Sequence, residues 1–252
     1  DPSYICENET IIVGLSGGPD SVYLLRQLVA MRLPLNLTLV AAHLDHEWRE
    51  SSKTDAQFCK AMCEQLSVPL VIKKASELDH SHGANGSKEA LGRLLRRSFF
   101  EGVAHKYQAT AIALAHHQDD QQETFFINLI RGTSLSGLCG MQERTGLYIR
   151  PLLSLAKQDI LAYLDQHKIG YCIDPTNEHH NYLRNRIRAH LMPALKACDT
   201  RSTHNLSRLI QHLQEINGFL KDATSKLLSE ITYTSEGILV LDLTTFLSLS
   251  EY

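Results

Sequence analysis

Residues 13–21 read Val-Gly-Leu-Ser-Gly-Gly-Pro-Asp-Ser, and this stretch decides the fold. The apolar run at 11–15 that leads into it predicts a short buried strand, and the helical spacing of apolar residues in 22–31 predicts a helix after it. A strand, a glycine turn and a helix start together offer backbone N–H groups and the positive end of a helix dipole to an anion. We therefore predict a phosphate-binding loop between the strand and the helix.

The loop differs from two familiar phosphate-binding sequences. It lacks the Gly-Lys-Ser/Thr ending of a Walker A loop and the Gly-x-Gly-x-x-Gly spacing of a dinucleotide-binding turn. Gly17 and Gly18 permit a positive φ and the close approach of a phosphate, while Ser16 and Ser21 add hydroxyl donors. The sequence thus predicts a phosphate cradle of a third kind.

Asp20 is the unexpected residue of this loop. A carboxylate beside a phosphate is repulsive unless a cation such as Mg²⁺ lies between them. We therefore interpret Asp20 as a ligand of a metal that accompanies a nucleotide. An alternative stays open, in which Asp20 or Ser21 is only the N-cap of the helix.

The composition is typical of a globular protein with reduced thiols. Of the 252 residues, 43% are hydrophobic and 21% are charged, which excludes a disordered chain. The net charge of −3 gives no overall attraction for nucleic acid, so any such surface must be a local basic patch. Six scattered cysteines without a Cys-x-x-Cys pair favour a cytoplasmic location. No apolar run reaches the roughly 18 residues of a membrane span and no secretory signal is recognisable, so we expect no membrane partner.

Strand-like and helical patterns alternate along most of the chain. The predicted strands are 11–15, 37–43, 70–74, 110–115 and 171–173, and the predicted helices are 21–31, 51–67, 88–107, 120–131 and 154–167, with a loop at 79–87. This alternation predicts an α/β fold with a doubly wound, Rossmann-like parallel sheet, which binds ligands at the carboxyl ends of its strands.

The alternation stops near residue 198, where a long amphipathic helix is predicted from Leu206, Leu209, Leu213, Ile216 and Leu220. A strand at 237–243 and a helix capped by Thr244 follow. We therefore predict a catalytic ATP-binding domain at 1–198 and a mainly helical C-terminal domain at 199–252. Because the chain begins without Met and ends without a breaker residue, we expect it to be truncated.

Polar clusters follow the second and fourth predicted strands. His43 and His46, in the first cluster, have a spacing that metal ligands use, although a plain polar loop stays open. In the second cluster, Asp120 and Glu123 are three residues apart, so both project from one side of the first helical turn. They indicate either a carboxylate pair that holds a cationic amine or a capping box at the helix start.

Arginines on two further predicted helices complete the candidate residues. Arg93 and Arg96 lie on roughly the same side of one helix, and Arg184 and Arg188 share a face of a later one. Guanidinium groups in such an arrangement bind the phosphates of a nucleotide or of RNA. An exposed, solvated helix surface remains the alternative for both pairs.

Several ordered motifs across residues 10–195 resemble the PP-loop ATP pyrophosphatases and, within that superfamily, the tRNA(Ile)-lysidine synthetases. The loop at 16–21 matches the superfamily pattern Ser-Gly-Gly-x-Asp-Ser, and His-x-x-Asp-Asp-Gln-x-Glu-Thr at 116–124 matches the lysidine synthetases. Segments 43–49, 89–97, 131–138, 150–153 and 174–188 match further motifs of that family. This chain departs from those motifs at Leu44, Arg97, Ser134, His179 and His180.

The resemblance implies a two-step reaction that uses ATP and Mg²⁺. The ring carbonyl oxygen of the wobble cytidine, in an isoleucine tRNA with a CAU anticodon, attacks the α-phosphate of ATP, and free L-lysine then displaces AMP. The resemblance implies nucleotide binding by Ser16, Gly17, Gly18, Pro19, Asp20, Ser21, His43, Asp45 and His46, with Asp20 as the metal ligand. It implies substrate binding by His116, Asp120, Glu123, Arg93 and Arg184, and catalysis by Asp20, Asp120, Glu123, Arg96 and Arg188.

Docking of the tRNA is expected to extend beyond the catalytic domain. The motif residues and the alternation of strands and helices both end near residue 198. We therefore expect the region after residue 198 to contribute to tRNA binding and not to the chemistry.

Three alternatives stay open on the sequence. A different PP-loop enzyme would adenylate another carbonyl substrate and would need no tRNA. A metal-dependent hydrolase would use His43, His46, His116 and Asp120 as ligands. A nucleotide sensor would bind ATP without turnover. The oligomeric state is also open, with a homodimer as one alternative.

Overall fold

The computed structural model describes residues 5–47, 52–78, 88–173 and 183–229, together with the backbone of two short strands at 232–233 and 239–240. The strands are β1 (Thr10–Gly14), β2 (Thr38–Asp45), β3 (Leu70–Lys74), β4 (Ala111–Ala113), β5 (Arg144–Thr145), β6 (Tyr148–Ile149), β7 (Thr232–Tyr233) and β8 (Leu239–Val240). The first six form a sheet in the order β3-β2-β1-β4-β6-β5, parallel throughout except between β5 and β6. The predicted α/β sheet is therefore confirmed, with one antiparallel strand at its edge.

Helices connect the strands and cover both faces of the sheet. They are α1 (Pro19–Arg32), α2 (Ser52–Gln65), α3 (Lys88–Lys106), α4 (Gln118–Arg131), α5 (Leu135–Leu138), α6 (Lys157–Gln166), α7 (Leu183–Arg186), α8 (Met192–Cys198) and α9 (Ser202–Ser229), with a single π-helical turn at Ile187–Leu191. Apolar residues of α1, α2 and α6 pack on one face of the sheet, and those of α3 pack on the other.

The central strand β1 shows why the sequence folds in this way. Ile11, Ile12 and Val13 are completely buried, and their side chains alternate between the two cores. A strand that is covered on both faces reads as a continuous apolar run, which is the pattern of 11–15. The glycine loop therefore leaves the centre of the sheet, at the carboxyl end of β1.

The predicted strand at 171–173 is wrong. These residues have no strand pairing, and the backbone N–H of Cys172 donates instead to the carbonyl of Gly17, 2.9 Å away. The fifth parallel position is taken by β6, which pairs with β4 through Ile112 and Ala113. Because β6 is only two residues long and is followed by a proline turn, the sequence contains no apolar run that would predict this strand.

The long helix α9 is confirmed, although its buried face differs from the predicted stripe. Ile210 and Asn217 are buried, whereas Leu209, Ile216 and Leu220 of the stripe are about half exposed. The helix packs against α4, α5 and α8, and its backbone accepts hydrogen bonds from α4 and from the loop after α5. The helix after residue 198 thus packs directly against α4, α5 and α8.

Some predictions fall on residues outside the described ranges. These are the start of the second helix at 51, the loop at 79–87, the turn at 174–177 with His179 and His180, and Thr244. Of the predicted strand at 237–243, residues 239–240 are described, and they form β8. Among the helices that the structure describes, none combines the length and the apolarity that a membrane span requires.

Candidate active site

The glycine loop is closed by its own hydroxyl groups. The Oγ of Ser21 accepts the backbone N–H of Ser16 at 3.1 Å and donates to the carbonyl of Gly18 at 2.9 Å. Helix α1 begins at Pro19 with Gly18 as its N-cap, so neither Asp20 nor Ser21 caps it. The capping alternative for Asp20 is therefore wrong, and its side chain is available for another role.

Gly17 has a backbone that only glycine accommodates comfortably here. Its φ is +87°, and a Cβ atom would lie 3.3 Å from the sulfurs of both Cys59 and Cys172. A side chain would therefore meet strain and crowding together. This close packing fixes the course of the loop at the end of β1.

A cleft of about 690 Å³ opens in front of this loop. The loop contributes Ser16, Gly18, Pro19 and Asp20 to its wall, and α4 contributes Asp119, Asp120 and Glu123. The start of α6, the π-helical turn and α8 add Lys157, Arg188 and Lys196. The cleft therefore joins a phosphate-binding loop to a group of acids and a group of cations.

Asp20 is paired with a cation in this structure. The Nζ of Lys157 donates a short hydrogen bond to its Oδ1, and the Nε2 of His117 lies 3.8 Å from its Oδ2. The carboxylate remains 26% exposed to the cleft. The negative charge beside the phosphate loop is thus balanced by two basic groups.

His117 stands among three carboxylates. Asp119, Asp120 and Asp20 lie 3.7, 3.4 and 3.8 Å from its ring nitrogens. Burial lowers the pKa of His117, but these acids outweigh burial, so the pKa is raised above its usual value. The neighbouring ring of His117 in turn lowers the pKa of Asp119 to about 2.

Asp120 and Glu123 share the opening turns of α4 but have different partners. Asp120 accepts the backbone N–H of His117 at 3.1 Å, so the capping box joins His117 and Asp120 and leaves Glu123 out. Glu123 is buried and binds Arg188 in a bidentate pair, with distances of 2.6 and 3.1 Å, and Arg184 lies 3.3 Å away. Burial nevertheless raises the pKa of Glu123.

Arg188 reaches Glu123 from the π-helical turn. A π turn inserts one residue into a helix and re-aims the side chains around it, and such turns are frequent at functional sites. Arg184, one turn earlier, also donates to the hydroxyl of Thr124 at 3.1 Å. The two predicted arginines are therefore brought together, and both contact side chains of α4.

In the polar cluster that follows β2, His43 and Asp45 contact backbone groups of the protein. The Nδ1 of His43 lies 2.8 Å from the carbonyl of Leu15, and Asp45 accepts the backbone N–H of Glu47 at 2.8 Å. The Nε2 of His46 lies 3.1 Å from Arg96. Burial, followed by the charge of Arg96, lowers the pKa of His46 to about 4, so this ring is neutral at pH 7.

His43, Asp45, His46 and Arg96 are absent from the described wall of the cleft. His43 instead holds the strand end that leads into the glycine loop, since Leu15 immediately precedes the loop. The histidines also fail to form a metal site. Among the described residues, no group of three or more His, Cys, Asp or Glu side chains could hold a metal ion by itself.

His116 lies in a basic environment beside the acids. Burial lowers its pKa to about 4, helped by the charges of Arg150, Arg184 and Arg93, while Asp120 acts in the opposite direction. The ring is therefore neutral at pH 7. Arg93 and Arg184, which are two of the other residues predicted to bind the substrate, therefore lie near enough to His116 for their charges to affect its pKa.

Sequence reasoning missed four acidic or basic residues of the cleft: His117, Asp119, Lys157 and Lys196. His117 and Asp119, at the start of α4, lie inside the motif at 116–124, but roles were predicted only for other positions of that motif. Lys157 follows the motif at 150–153 at the first position of α6. A basic residue at a helix start is unfavourable for the helix dipole, and that was a signal which could have found it.

Comparisons with known proteins fit this geometry. A profile of the PP-loop domain matches residues 3–195. The chain is 35% identical over 252 residues to a tRNA(Ile)-lysidine synthase of Bacillus cereus, covering 97% of this chain and 52% of that protein. It is 38% identical over 193 residues to one of Clostridium acetobutylicum, covering 76% and 42% respectively. The chain thus spans about half the length of the curated relatives that it matches.

The fold also resembles a solved structure with a distant sequence. The U34-tRNA thiolase NcsA from Methanococcus maripaludis, solved with its [4Fe-4S] cluster, superposes with a TM-score of 0.70 at 18% identity. The superposition covers 85% of this chain and 75% of the thiolase. At this identity the likeness concerns the fold alone.

Proposed function

Since the chain belongs to the PP-loop family of ATP-binding domains, we propose that it is the catalytic part of a tRNA(Ile)-lysidine synthetase. It ligates free L-lysine onto the wobble cytidine of an isoleucine tRNA with a CAU anticodon, and AMP and pyrophosphate are released. The observation that carries the proposal is the meeting of the glycine loop, the α4 acids and Arg188 in one cleft. The names of the curated relatives support the same acceptor and product. The six free thiols of this chain are typical of a protein in a reducing cytoplasm, which is the location that we propose.

In the first step, the glycine loop and the start of α1 bind the phosphates of ATP. The open N-terminus of α1 supplies N–H donors, and the positive φ of Gly17, which is +87°, sets the course of the loop in front of that N-terminus. Asp20 fits a Mg²⁺ site, because Mg²⁺ in nucleotide sites takes one or two carboxylates and completes its shell with phosphates and water. A Mg²⁺ ion held there by Asp20 would neutralise the negative charge of the departing pyrophosphate.

In the second step, Asp120 and Glu123 hold the ammonium group of lysine, and a nearby carboxylate accepts its proton before the amine attacks the activated ring carbon and displaces AMP. Asp120 faces the cleft, while Glu123 is bound to Arg188 and must release it to contact the amine. The released guanidinium then stabilises the negative phosphoryl group, which is the role that we assign to Arg188. Exchange of one cation for another keeps Glu123 paired throughout, so no isolated charge is buried.

The neutral ring of His116, with Arg93 and Arg184, is assigned to the tRNA. An uncharged imidazole beside a basic surface contacts a base edge without repelling the neighbouring arginines. The phosphates on either side of the target nucleotide then pair with guanidinium groups. Arg96 lies on the same helix as Arg93, and it contacts His46, which follows β2, at 3.1 Å.

The test separates the two steps by replacing both acids, in the variant Asp120→Asn/Glu123→Gln. Each charge-assisted hydrogen bond is worth about 1.5–3 kcal/mol, so losing two raises the lysine requirement by on the order of a hundredfold or more. Adenylation does not involve the ammonium, so adenylated tRNA accumulates at ordinary lysine concentrations. Adenylate and radiolabelled lysidine are measured in one reaction, with and without ATP.

Asp159→Asn provides the matched control, because Asp159 is an exposed acid in the first turn of α6. It removes a favourable charge from a helix start without touching the cleft. We expect this control to leave the lysine requirement unchanged. If adenylate and lysidine fall together in a folded double variant, then Asp120 and Glu123 serve the nucleotide step, and their assignment to lysine is wrong.

A further inference from the structure

Lys157 is a cation that the proposed mechanism has not used. Its Nζ is hydrogen-bonded to Asp20, which lies 137 residues earlier in the chain. Both side chains are partly buried at the wall of the cleft, with 29% and 26% exposure. A lysine directly beside a phosphate-binding loop has the chemistry of a phosphate ligand.

The backbone of Lys157 is anchored independently of its ammonium group. Its N–H donates to the Oδ1 of Asp119 at 3.0 Å, and Lys157 is the first residue of α6. This anchor persists whatever the side chain is. The four-carbon stem, by contrast, is flexible and carries a compact charge that rotates freely. The ammonium group can therefore leave Asp20 while the helix start stays in place.

Two other basic groups around the acids already have carboxylate partners of their own. Arg188 forms a bidentate pair with Glu123, and His117 stands among three carboxylates. A divalent cation at Asp20 would meet the ammonium of Lys157 at the same carboxylate, and two cations repel at that distance. The carboxylate therefore binds one or the other at a time.

We propose that Lys157 is a phosphate ligand of the nucleotide, and that its ammonium group moves from Asp20 to the phosphate oxygens when a divalent cation takes its place. The inference rests on the ATP-binding part of the proposed function and is independent of tRNA and lysine. Lys157 keeps Asp20 neutralised in the empty cleft. With nucleotide and metal bound, it adds a second positive charge to the pyrophosphate end.

Direct binding of metal and nucleotide tests this inference, with Lys157→Met compared with Lys60→Met. Lys60 is an exposed residue of α2, so its replacement removes the same charge away from the cleft. Mn²⁺ serves as the probe for Mg²⁺, first alone and then with an ATP analogue that carries a methylene group between the α- and β-phosphates. Calorimetry and the Mn²⁺ resonance signal report binding without any turnover.

The inference predicts changes of opposite sign in Lys157→Met. Mn²⁺ alone binds about tenfold more tightly because its competitor is gone, whereas the analogue with Mn²⁺ binds at least about tenfold more weakly because a charged hydrogen bond is missing. Lys157→Arg retains the charge, so we expect both affinities to stay within a few-fold of the parent. Lys60→Met changes neither.

Three results would overturn the inference. If both affinities fall together in Lys157→Met, then the lysine only supports the shape of the loop. If neither affinity changes, then Lys157 does not meet the nucleotide. Finally, in an Asp20→Asn background, Lys157→Met must lose its effect on Mn²⁺ alone, and persistence of the effect would show that the competition is not at Asp20. Since none of these measurements includes tRNA, they remain distinct from a failure of the lysidine reaction.

Discussion

Asp120 and Glu123 lie one turn apart on α4, yet they differ in exposure and in charged partners, so we expect them to have different roles. The side chain of Asp120 is 15% exposed and lies at the cleft, where it also caps its own helix. That of Glu123 is only 3% exposed and is neutralised by Arg188. A buried carboxylate tolerates loss of a partner poorly, so any ligand of Glu123 must replace a cation with a cation. In the proposed mechanism, Asp120 is therefore the acid that we expect the ammonium group of lysine to meet first.

Asp119 allows a prediction about pH. Its pKa lies at about 2 in the folded chain, below the ordinary value, mainly because of the neighbouring ring of His117. A depressed pKa stabilises the fold above the ordinary pKa, and this stabilisation disappears as the pH falls towards 2. Because the carboxylate is 38% exposed, solvent screening reduces its expected contribution to about 1 kcal/mol. Asp119→Asn should therefore lower the free energy of unfolding by about this amount at pH 6, and by progressively less below about pH 4.

Urea unfolding at a series of pH values measures this difference. Asp165→Asn, an exposed acid of α6, is the control and should change the free energy of unfolding little at any of them. A loss in Asp119→Asn that stays constant down to the lowest accessible pH would show that the carboxylate charge is not its cause.

At the scale of elements, α4 is the helix around which the site is assembled. Its first turn faces the cleft, and its buried face contacts α7, the π-helical turn and α9. Gln122, which is 2% exposed, donates to the carbonyl of Thr203 at 3.0 Å and to the hydroxyl of Ser207 at 2.8 Å. The start of α9 is therefore fixed to the same helix that carries the acids.

Gln122→Ala tests this connection. It leaves a cavity and an unsatisfied carbonyl at the start of α9, so we expect a loss of about 2 kcal/mol in the free energy of unfolding. Ser207→Ala removes one of the two hydrogen bonds and should cost about half as much. Hydrogen exchange should be faster in the first turns of α9 for Gln122→Ala. Unchanged exchange there would mean that the two helices are joined by other interactions.

At the scale of the whole molecule, the proposed tRNA binding needs a surface beyond the cleft, and we propose that α9 provides it. Because the net charge is −3, a nucleic acid must be bound by local groups of cations. Arg208 and Lys221 are exposed on α9, away from the described wall of the cleft. Replacing Arg208 and Lys221 therefore tests whether the region after residue 198 binds tRNA, and the test does not require deletion of a packed helix.

Arg208→Ala/Lys221→Ala should weaken tRNA binding severalfold and reduce the slope of log affinity against log salt by about one for each cation that is replaced. Binding of ATP should stay unchanged, because neither residue lies at the cleft. The matched control is Glu215→Ala/Asp222→Ala, which removes two charges of the opposite sign from the same helix and should not weaken binding. If both double variants bind tRNA equally, then α9 is not part of the docking surface.

The sequence by itself determined the strand–loop–helix unit, the alternation of strands and helices, and the phosphate-binding character of residues 16–21. These features depend on neighbours in the chain: the φ freedom of Gly17, the apolar run of β1 and the helical periodicity after it. The candidate residues Asp20, Asp120, Glu123 and Arg188 were also found in this way, because each lies within a compact motif. Their common position in one cleft followed from the rule that ligands bind at the carboxyl ends of parallel strands.

Only the tertiary structure decided what these residues touch. Lys157 meets Asp20 across 137 residues, and Arg188 meets Glu123 across 65, because separate helix starts converge on the same edge of the sheet. The two-residue strand β6 and the cap of α4 by His117 were equally hidden, since neither is marked by a run of similar residues. Local patterns fix which backbone a segment adopts, whereas the pairing of charges depends on where packing places distant segments. That is why Asp20, Asp120, Glu123 and Arg188 could be read from the chain, whereas Lys157 and the partners of these residues could not.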